Sequence, residues 1–178
     1  MAARGSEAAV KNETTLTLEG DRTIVISRTF NGPARVVFDA WTRPELVERW
    51  WAPGSRASIV SVEADVRVGG AYRYVLQPKK GQRFAFSGKY REVSAPMRLV
   101  YTVFFEPTAE GLVVPESEAA VTTVTFEERD GKTHLVSREM YPSKEVRDMV
   151  LATGMEPGMR EAMDQLDELV ASLGMSTS

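Results

Sequence analysis

The chain has no cysteine among its 178 residues. Disulfides, thiolate zinc sites and thiol nucleophiles are therefore excluded. There is one histidine, His134, so a multi-histidine metal centre cannot form. A serine triad would have a single imidazole to draw on, and no G-x-S-x-G elbow accompanies it. No apolar run reaches the ~20 residues that cross a bilayer, and the opening MAARGSEAAVKNETTL lacks a signal-type apolar core. The expectation is a cytoplasmic protein with no membrane partner. Positive charge is not in excess: the net charge is −3, and Lys and Arg are scattered without interleaved aromatics, which disfavours nucleic acid. There is no Walker pattern, and Gly69-Gly70 opens no helix of a dinucleotide fingerprint. No metal or cofactor is expected.

What the chain does have is an ordinary globular composition, 43% hydrophobic and 26% charged, over a length that suits one domain. Its clearest periodic segment is C-terminal. From Met155 to Leu173 the apolar residues Met155, Met159, Met163, Leu166, Val170 and Leu173 keep to one side of a helix. Arg160, Glu161, Asp164, Gln165, Asp167 and Glu168 fall opposite. Such a stripe must lie on something apolar. Its methionine half adapts to irregular neighbours, either a solid core or a ligand beneath a roof.

Residues 1–13 read as a disordered tail before a single domain over 14–178. Thr23–Phe30, β-branched and ended by Asn31-Gly32-Pro33, reads as a strand. A short helix from Pro33 to about Trp41 follows. A second is expected after Thr42-Arg43-Pro44-Glu45, with Thr42 and Glu45 as a capping box. Period-two segments then predict strands at about 57–66, 70–77, 83–94, 97–105, 120–128 and 132–141. Their short turns make neighbours antiparallel. Tyr72, Tyr74 and Leu76, then Phe84, Phe86 and Tyr90, then Leu99, Tyr101, Val103 and Phe105, and later Phe126, make one sheet face strongly aromatic. The irregular stretch Glu106–Glu118, with Glu110, Glu116 and a Leu112-Val113-Val114 island, is a solvated loop or a lid. Ser143 is placed to N-cap a helix over Lys144–Ala152, with a break at Gly154.

One segment goes beyond pattern. FDAWTRPELVERWWAPG, Phe38–Gly54, stands with SRTFNGPARVVF before it and Asp65-Val66-Arg67-Val68-Gly69-Gly70 after it. Further on come Ala95-Pro96-Met97-Arg98-Leu99-Val100-Tyr101-Thr102, Gly154-Met155-Glu156 and Asp164-Gln165-Leu166. Together these resemble the bacterial homologues of the activator of heat-shock protein 90 ATPase, within the START-like (SRPBCC) superfamily. The likeness runs from about Thr23 to Leu173. It implies an α+β helix-grip fold, like that of the birch-pollen allergen: a curved antiparallel sheet of about seven strands wrapped around a long C-terminal helix, with two short helices after strand 1. A cavity between sheet and helix is implied with it. The eukaryotic activator carries an additional N-terminal domain for which this chain has no room, and the 106–118 loop looks long for the family. Members of the superfamily act on unrelated molecules, so the fold alone does not name a function.

The function expected is binding of a hydrophobic or aromatic small molecule in that cavity. Its lining would be Trp51, Tyr72, Tyr74, Phe84, Phe86, Tyr101 and Phe126 with Met155, Met159 and Met163. Trp50 and Trp51 cannot share a helix face: one anchors the core and the other is free to line the mouth. An alternative is a cyclase, hydratase or hydrolase on a polyketide-like substrate, for which Glu63, Glu92 and His134 are weak catalytic candidates. Glu139 also sits in a strand, and whichever carboxylate faced the hollow would have its pKa raised. Asp65 and Arg67, two apart, read as an ion pair or as ligand-orienting groups. A chaperone-associated stress-response role and a homodimer stay open.

Overall fold

A computed structural model describes residues 12–109 and 116–175. Most of the expected tail, together with Glu110 and the Leu112-Val113-Val114 island, lies outside the described residues. Eight strands form one antiparallel sheet: β1 (Thr15–Glu19), β2 (Thr23–Phe30), β3 (Ala57–Ala64), β4 (Ala71–Pro78), β5 (Phe84–Ser94), β6 (Arg98–Glu106), β7 (Ala120–Arg129) and β8 (Lys132–Met140). Their spatial order is β1-β2-β8-β7-β6-β5-β4-β3. The sequence reading lacked β1. Leu16 and Leu18 lie on a short edge strand whose residues are mostly exposed, so burial left too faint an alternation to read.

Five strands lie between β2 and β3 in the sheet. The chain crosses that distance through α1 (Ala34–Thr42) and α2 (Pro44–Val47), which close one end of the curved sheet. The expected capping box does not form. Thr42 is still helical, the last residue of α1, and its hydroxyl is turned back to donate to the Phe38 carbonyl at 2.8 Å, so Arg43 and not Thr42 holds the N-cap position of α2. Glu45 pairs with Arg43 at 2.8 Å instead of reaching back. The N-terminus of α1 begins after Pro33, which has no side-chain acceptor. Glu128, arriving from β7, accepts from the Ala34 amide at 2.7 Å and fills that role.

α3 (Lys144–Ala152) starts at Ser143, whose hydroxyl accepts from the Val146 amide. The break that ends it is Gly154, at φ 74°, a left-handed position suited to glycine. α4 (Met155–Met175) follows, with Pro157 in its first turn, where a missing N–H costs nothing. Met163, Leu166, Leu169 and Val170 are fully buried beneath it, each worth about 1.5–3 kcal/mol of apolar burial.

The flanks of α4 are not merely solvated. On one side Gln165 donates to the carbonyls of Trp50 at 2.9 Å and Ala52 at 2.7 Å, and accepts from the Gly54 amide at 2.9 Å. Glu161 accepts from the Ser55 amide and hydroxyl. On the other side Arg28, whose side chain is 1% exposed, pairs with Asp164 at 2.6 Å and Asp167 at 3.0 Å. Arg28 occupies an inward position of β2, between Ile26 and Phe30. An inward arginine in a β-branched strand reads from sequence as solvent-facing, yet here it ties the sheet to the helix.

Within the sheet, the β5–β6 ladder is interrupted at Gly88, where the two backbones stay in close contact. A Cβ there would lie 1.8 Å from the Thr102 carbonyl oxygen. The freed Thr102 carbonyl accepts the Tyr72 hydroxyl at 2.6 Å. The Thr102 hydroxyl meanwhile accepts from the Lys89 amide at 2.9 Å in place of a ladder bond. Asp65 and Arg67 lie in the turn after β3, not in a strand, and pair with each other at 2.7 Å in an exposed position.

Candidate functional site

Strand parity decides what faces the helix. The inward positions are Ile24, Ile26, Arg28 and Phe30 on β2, Leu135, Ser137 and Glu139 on β8, and Thr122, Val124 and Phe126 on β7. Tyr101 continues this side on β6, paired with Tyr90 on β5 and with Thr122 on β7. Tyr72 and Tyr74 supply β4.

At the centre, six rings line one cavity: Trp41, Trp51, Tyr72, Tyr74, Tyr90 and Tyr101. The whole chain has five tyrosines and three tryptophans, so most of both kinds converge here. The rings stand edge to face or tilted, with centroids 5.0 Å apart for Trp51–Tyr74, 5.1 Å for Tyr72–Tyr74 and 5.5 Å for Tyr72–Tyr101. The space between them is about 10 Å³, room for roughly one water. A ligand pocket has hundreds of Å³, so in this conformation the expected ligand-sized hollow is filled by rings. The gain of edge-to-face packing between large aromatic side chains accounts for that closure.

The polar tips are accounted for. Tyr72 donates to Thr102 and Trp41 Nε1 donates to the Tyr101 hydroxyl at 3.3 Å, while the Tyr74 and Tyr90 hydroxyls interact with each other. Burial raises the pKa of Tyr72, Tyr74, Tyr90 and Tyr101, so all four stay neutral phenols.

Next to this cluster, on the inner face, sits Glu139. Burial raises its pKa, opposed in part by the Tyr141 hydroxyl, which donates to its Oε2 at 3.0 Å. Its charge is felt at Tyr72, Tyr101 and Tyr141. The fifth tyrosine thus completes the same neighbourhood.

Of the residues singled out from sequence, the structure brings Trp51, Tyr72, Tyr74 and Tyr101 to the cavity. Trp50 is the core anchor, its Nε1 donating to the Ala40 carbonyl at 2.8 Å. Phe126 is buried to one side, edge-on to Phe38 and Trp41. Met163 is buried and Met155 and Met159 are half-buried against the core, outside the cavity wall. Phe84 and Phe86 stack with Phe105 farther along the sheet.

Glu63, Glu92 and His134 do not enter the interior. Glu63 is exposed, opposite Arg73 on the outer face. Glu92 follows the irregularity after Tyr90 and pairs with Arg98 at 3.0 Å. His134 is exposed, its Nδ1 3.1 Å from the Thr29 hydroxyl. An extra residue in a strand reverses facing, which period-two reading could not register for Glu92.

Two wall residues were not named among the expected lining. Tyr90 shares the parity of Phe86 and was recoverable from it. Trp41 was not, because it ends a helix remote in sequence. Among the described residues no group of three or more His, Asp or Glu side chains converges as a metal cage, and no helix is long and apolar enough to cross a membrane. Glu106, expected in an open loop, is 3% exposed. It pairs with Arg73 at 3.1 Å, and Arg73 also donates to the Ala109 carbonyl.

Residues 31–171 match the family described as Activator of Hsp90 ATPase homolog 1-like protein. Solved bacterial structures share the fold. A Staphylococcus epidermidis protein is 30% identical, with TM-score 0.72, over 89% of this chain and 94% of that one. A Mycobacterium smegmatis protein is 25% identical, with TM-score 0.76, over 88% and 96%. One from Rhodobacter sphaeroides is 22% identical, with TM-score 0.78, over 90% and 99%. No functionally curated protein matches the sequence.

Proposed function

The chain belongs to the family of Activator of Hsp90 ATPase homolog 1-like proteins, and on that premise we propose that it binds a small hydrophobic or aromatic molecule at the aromatic centre of its helix grip. The observation that carries this reading is the convergence of six tyrosine and tryptophan rings on one spot. A core built only for stability favours aliphatic side chains, which interlock without polar atoms to satisfy. Here four phenols, Thr122 and Ser137 are spent on the interior instead, with half-buried Glu139 beside them. The guest takes the place of ring-on-ring contacts. Trp51, the half-buried wall residue in the chain between α2 and β3, is the one that can turn outward at least cost.

The test is a titration of the full chain with N-phenyl-1-naphthylamine, a neutral probe that brightens in apolar surroundings. A saturable one-to-one rise is expected, tightened by Trp51→Ala, which opens the wall. No saturable binding by either protein overturns the reading.

An enzymatic reading is favoured by one observation only: Glu139 brings a carboxyl with a raised pKa to the inner face, as a general acid–base group would require. On that reading Glu139→Gln abolishes turnover of a substrate found by screening. A chaperone-associated role draws support from the family's description and from Phe105, 53% exposed beside Phe84 and Phe86.

A further inference from the structure

The central rings turn polar tips toward the protein. Tyr72 donates to the Thr102 carbonyl, Trp41 Nε1 donates to the Tyr101 hydroxyl, and the Tyr74 and Tyr90 hydroxyls interact with each other. What they leave to a guest is their faces, and an aromatic face carries the negative lobe of the ring quadrupole. One further group lies on the same inner face: Glu139 pairs across the strands with Thr122, which in turn pairs with Tyr101, and its charge is felt at Tyr72 and Tyr101. An uncharged guest gains nothing from that carboxyl. A cation gains from it and from the ring faces together.

We propose that the aromatic centre takes a quaternary or methylated ammonium group, seated against the faces of Trp41, Tyr72 and Tyr101 in the place Trp51 vacates, and matched in charge by Glu139. The inference rests on the small-molecule reading above and narrows it to a class. Aromatic cages bind such cations with ring centroids within about 6 Å of the charge, and a methylated ammonium surrenders little hydration on entry. Among the described residues the groups facing Glu139 carry no positive charge. They are Tyr141 from the end of β8, Tyr101 from β6 and Tyr72 from β4. The residues paired with it across the strands are Ile24 and Thr122. The one inward arginine on β2, Arg28, is already matched by Asp164 and Asp167. The place of a counter-charge is therefore left to a ligand. A trimethylammonium head exceeds the present opening of about 10 Å³, so its entry requires the outward turn of Trp51 already described.

A matched pair of probes tests this: phenyltrimethylammonium and its neutral carbon isostere, tert-butylbenzene, titrated into the full chain at pH 8 with tryptophan fluorescence as the readout. The cation is expected to bind about ten-fold more tightly than the isostere. Glu139→Gln should reduce that preference to less than about three-fold, because charge matching is lost while shape is kept. Tyr101→Phe should preserve it, since the ring face and not the hydroxyl meets the cation. In the wild-type chain the preference should shrink as pH falls through the raised pKa of Glu139, a measurement that still reads this group if the glutamine variant does not fold. Equal binding of the two probes, or a preference that survives Glu139→Gln and acidification, overturns the inference but leaves the small-molecule reading intact. Failure of both probes and of N-phenyl-1-naphthylamine overturns the two together.

Discussion

Tyr141 donates its hydroxyl to the Glu139 carboxylate at 3.0 Å, two residues back along the chain, and so supports the one strand carboxylate that the fold turns inward beside the aromatic cluster. The bond offsets only part of the burial penalty, because the pKa of Glu139 stays above its ordinary 4.5. A carboxyl raised in the folded state binds its proton more tightly folded than unfolded. Its contribution to stability is therefore complete below pH 4.5 and is lost as pH rises through the folded value. Glu139→Gln carries no such penalty. The melting temperature of the variant, relative to wild type, should climb between pH 5 and pH 8. A difference constant with pH contradicts this.

Gln165 holds three backbone groups of the 50–54 segment with one amide. Gln165→Ala leaves those groups to water or to nothing and should cost about 2–3 kcal/mol, measured by urea unfolding. Because the same segment carries Trp51, the variant should also show raised tryptophan solvent exposure by acrylamide quenching.

The Arg28 cluster makes an asymmetric prediction. Replacing both Asp164 and Asp167 by Asn strands a guanidinium whose side chain is 1% exposed, and should cost about 3 kcal/mol or more. Arg28→Met keeps the stem and removes the buried charge, and should cost less than the double variant. Paired denaturation curves decide between them. A larger loss for Arg28→Met means the ion pairs, and not the charge balance, set the energy.

Gly88→Ala places a Cβ 1.8 Å from the Thr102 carbonyl oxygen, which is backbone and cannot step aside. The sheet would have to uncoil locally and the Tyr72–Thr102 bond would be lost. A loss above about 4 kcal/mol, or failure to fold, is expected. Near-native stability would contradict the close packing of β5 on β6.

Strands β2 to β8 and both C-terminal helices were legible because period two, β-branched runs and period 3.6 are local properties of the chain. Ser143 and Gly154 announced their cap and break for the same reason. The helix-grip arrangement itself came from resemblance, through the Trp50-Trp51-Ala52-Pro53-Gly54 segment and its companions. The site was legible only in part. Aromatic parity pointed to Tyr72, Tyr74 and Tyr101, but Trp41 reaches them through the crossover between distant strands, which no local pattern encodes. Glu139 could be named as a strand residue, but its facing follows from its pairing with Ile24 and Thr122. Arg28, Glu128 and Gln165 owe their roles to partners roughly a hundred residues away. The closure of the cavity is a matter of how six rings tilt against each other, and composition is silent on tilt.

The account turns on whether the ring cluster yields to a guest. The most direct measurement is a two-dimensional NMR titration of aromatic-labelled protein with N-phenyl-1-naphthylamine, following each ring. Saturable shifts centred on Trp41, Trp51, Tyr72, Tyr74, Tyr90 and Tyr101, with Phe84 and Phe105 little changed, are the result predicted. Shifts confined to Phe105 and its neighbours, or none that saturate, would mean that the centre is a closed core and that the grip holds nothing but its own side chains.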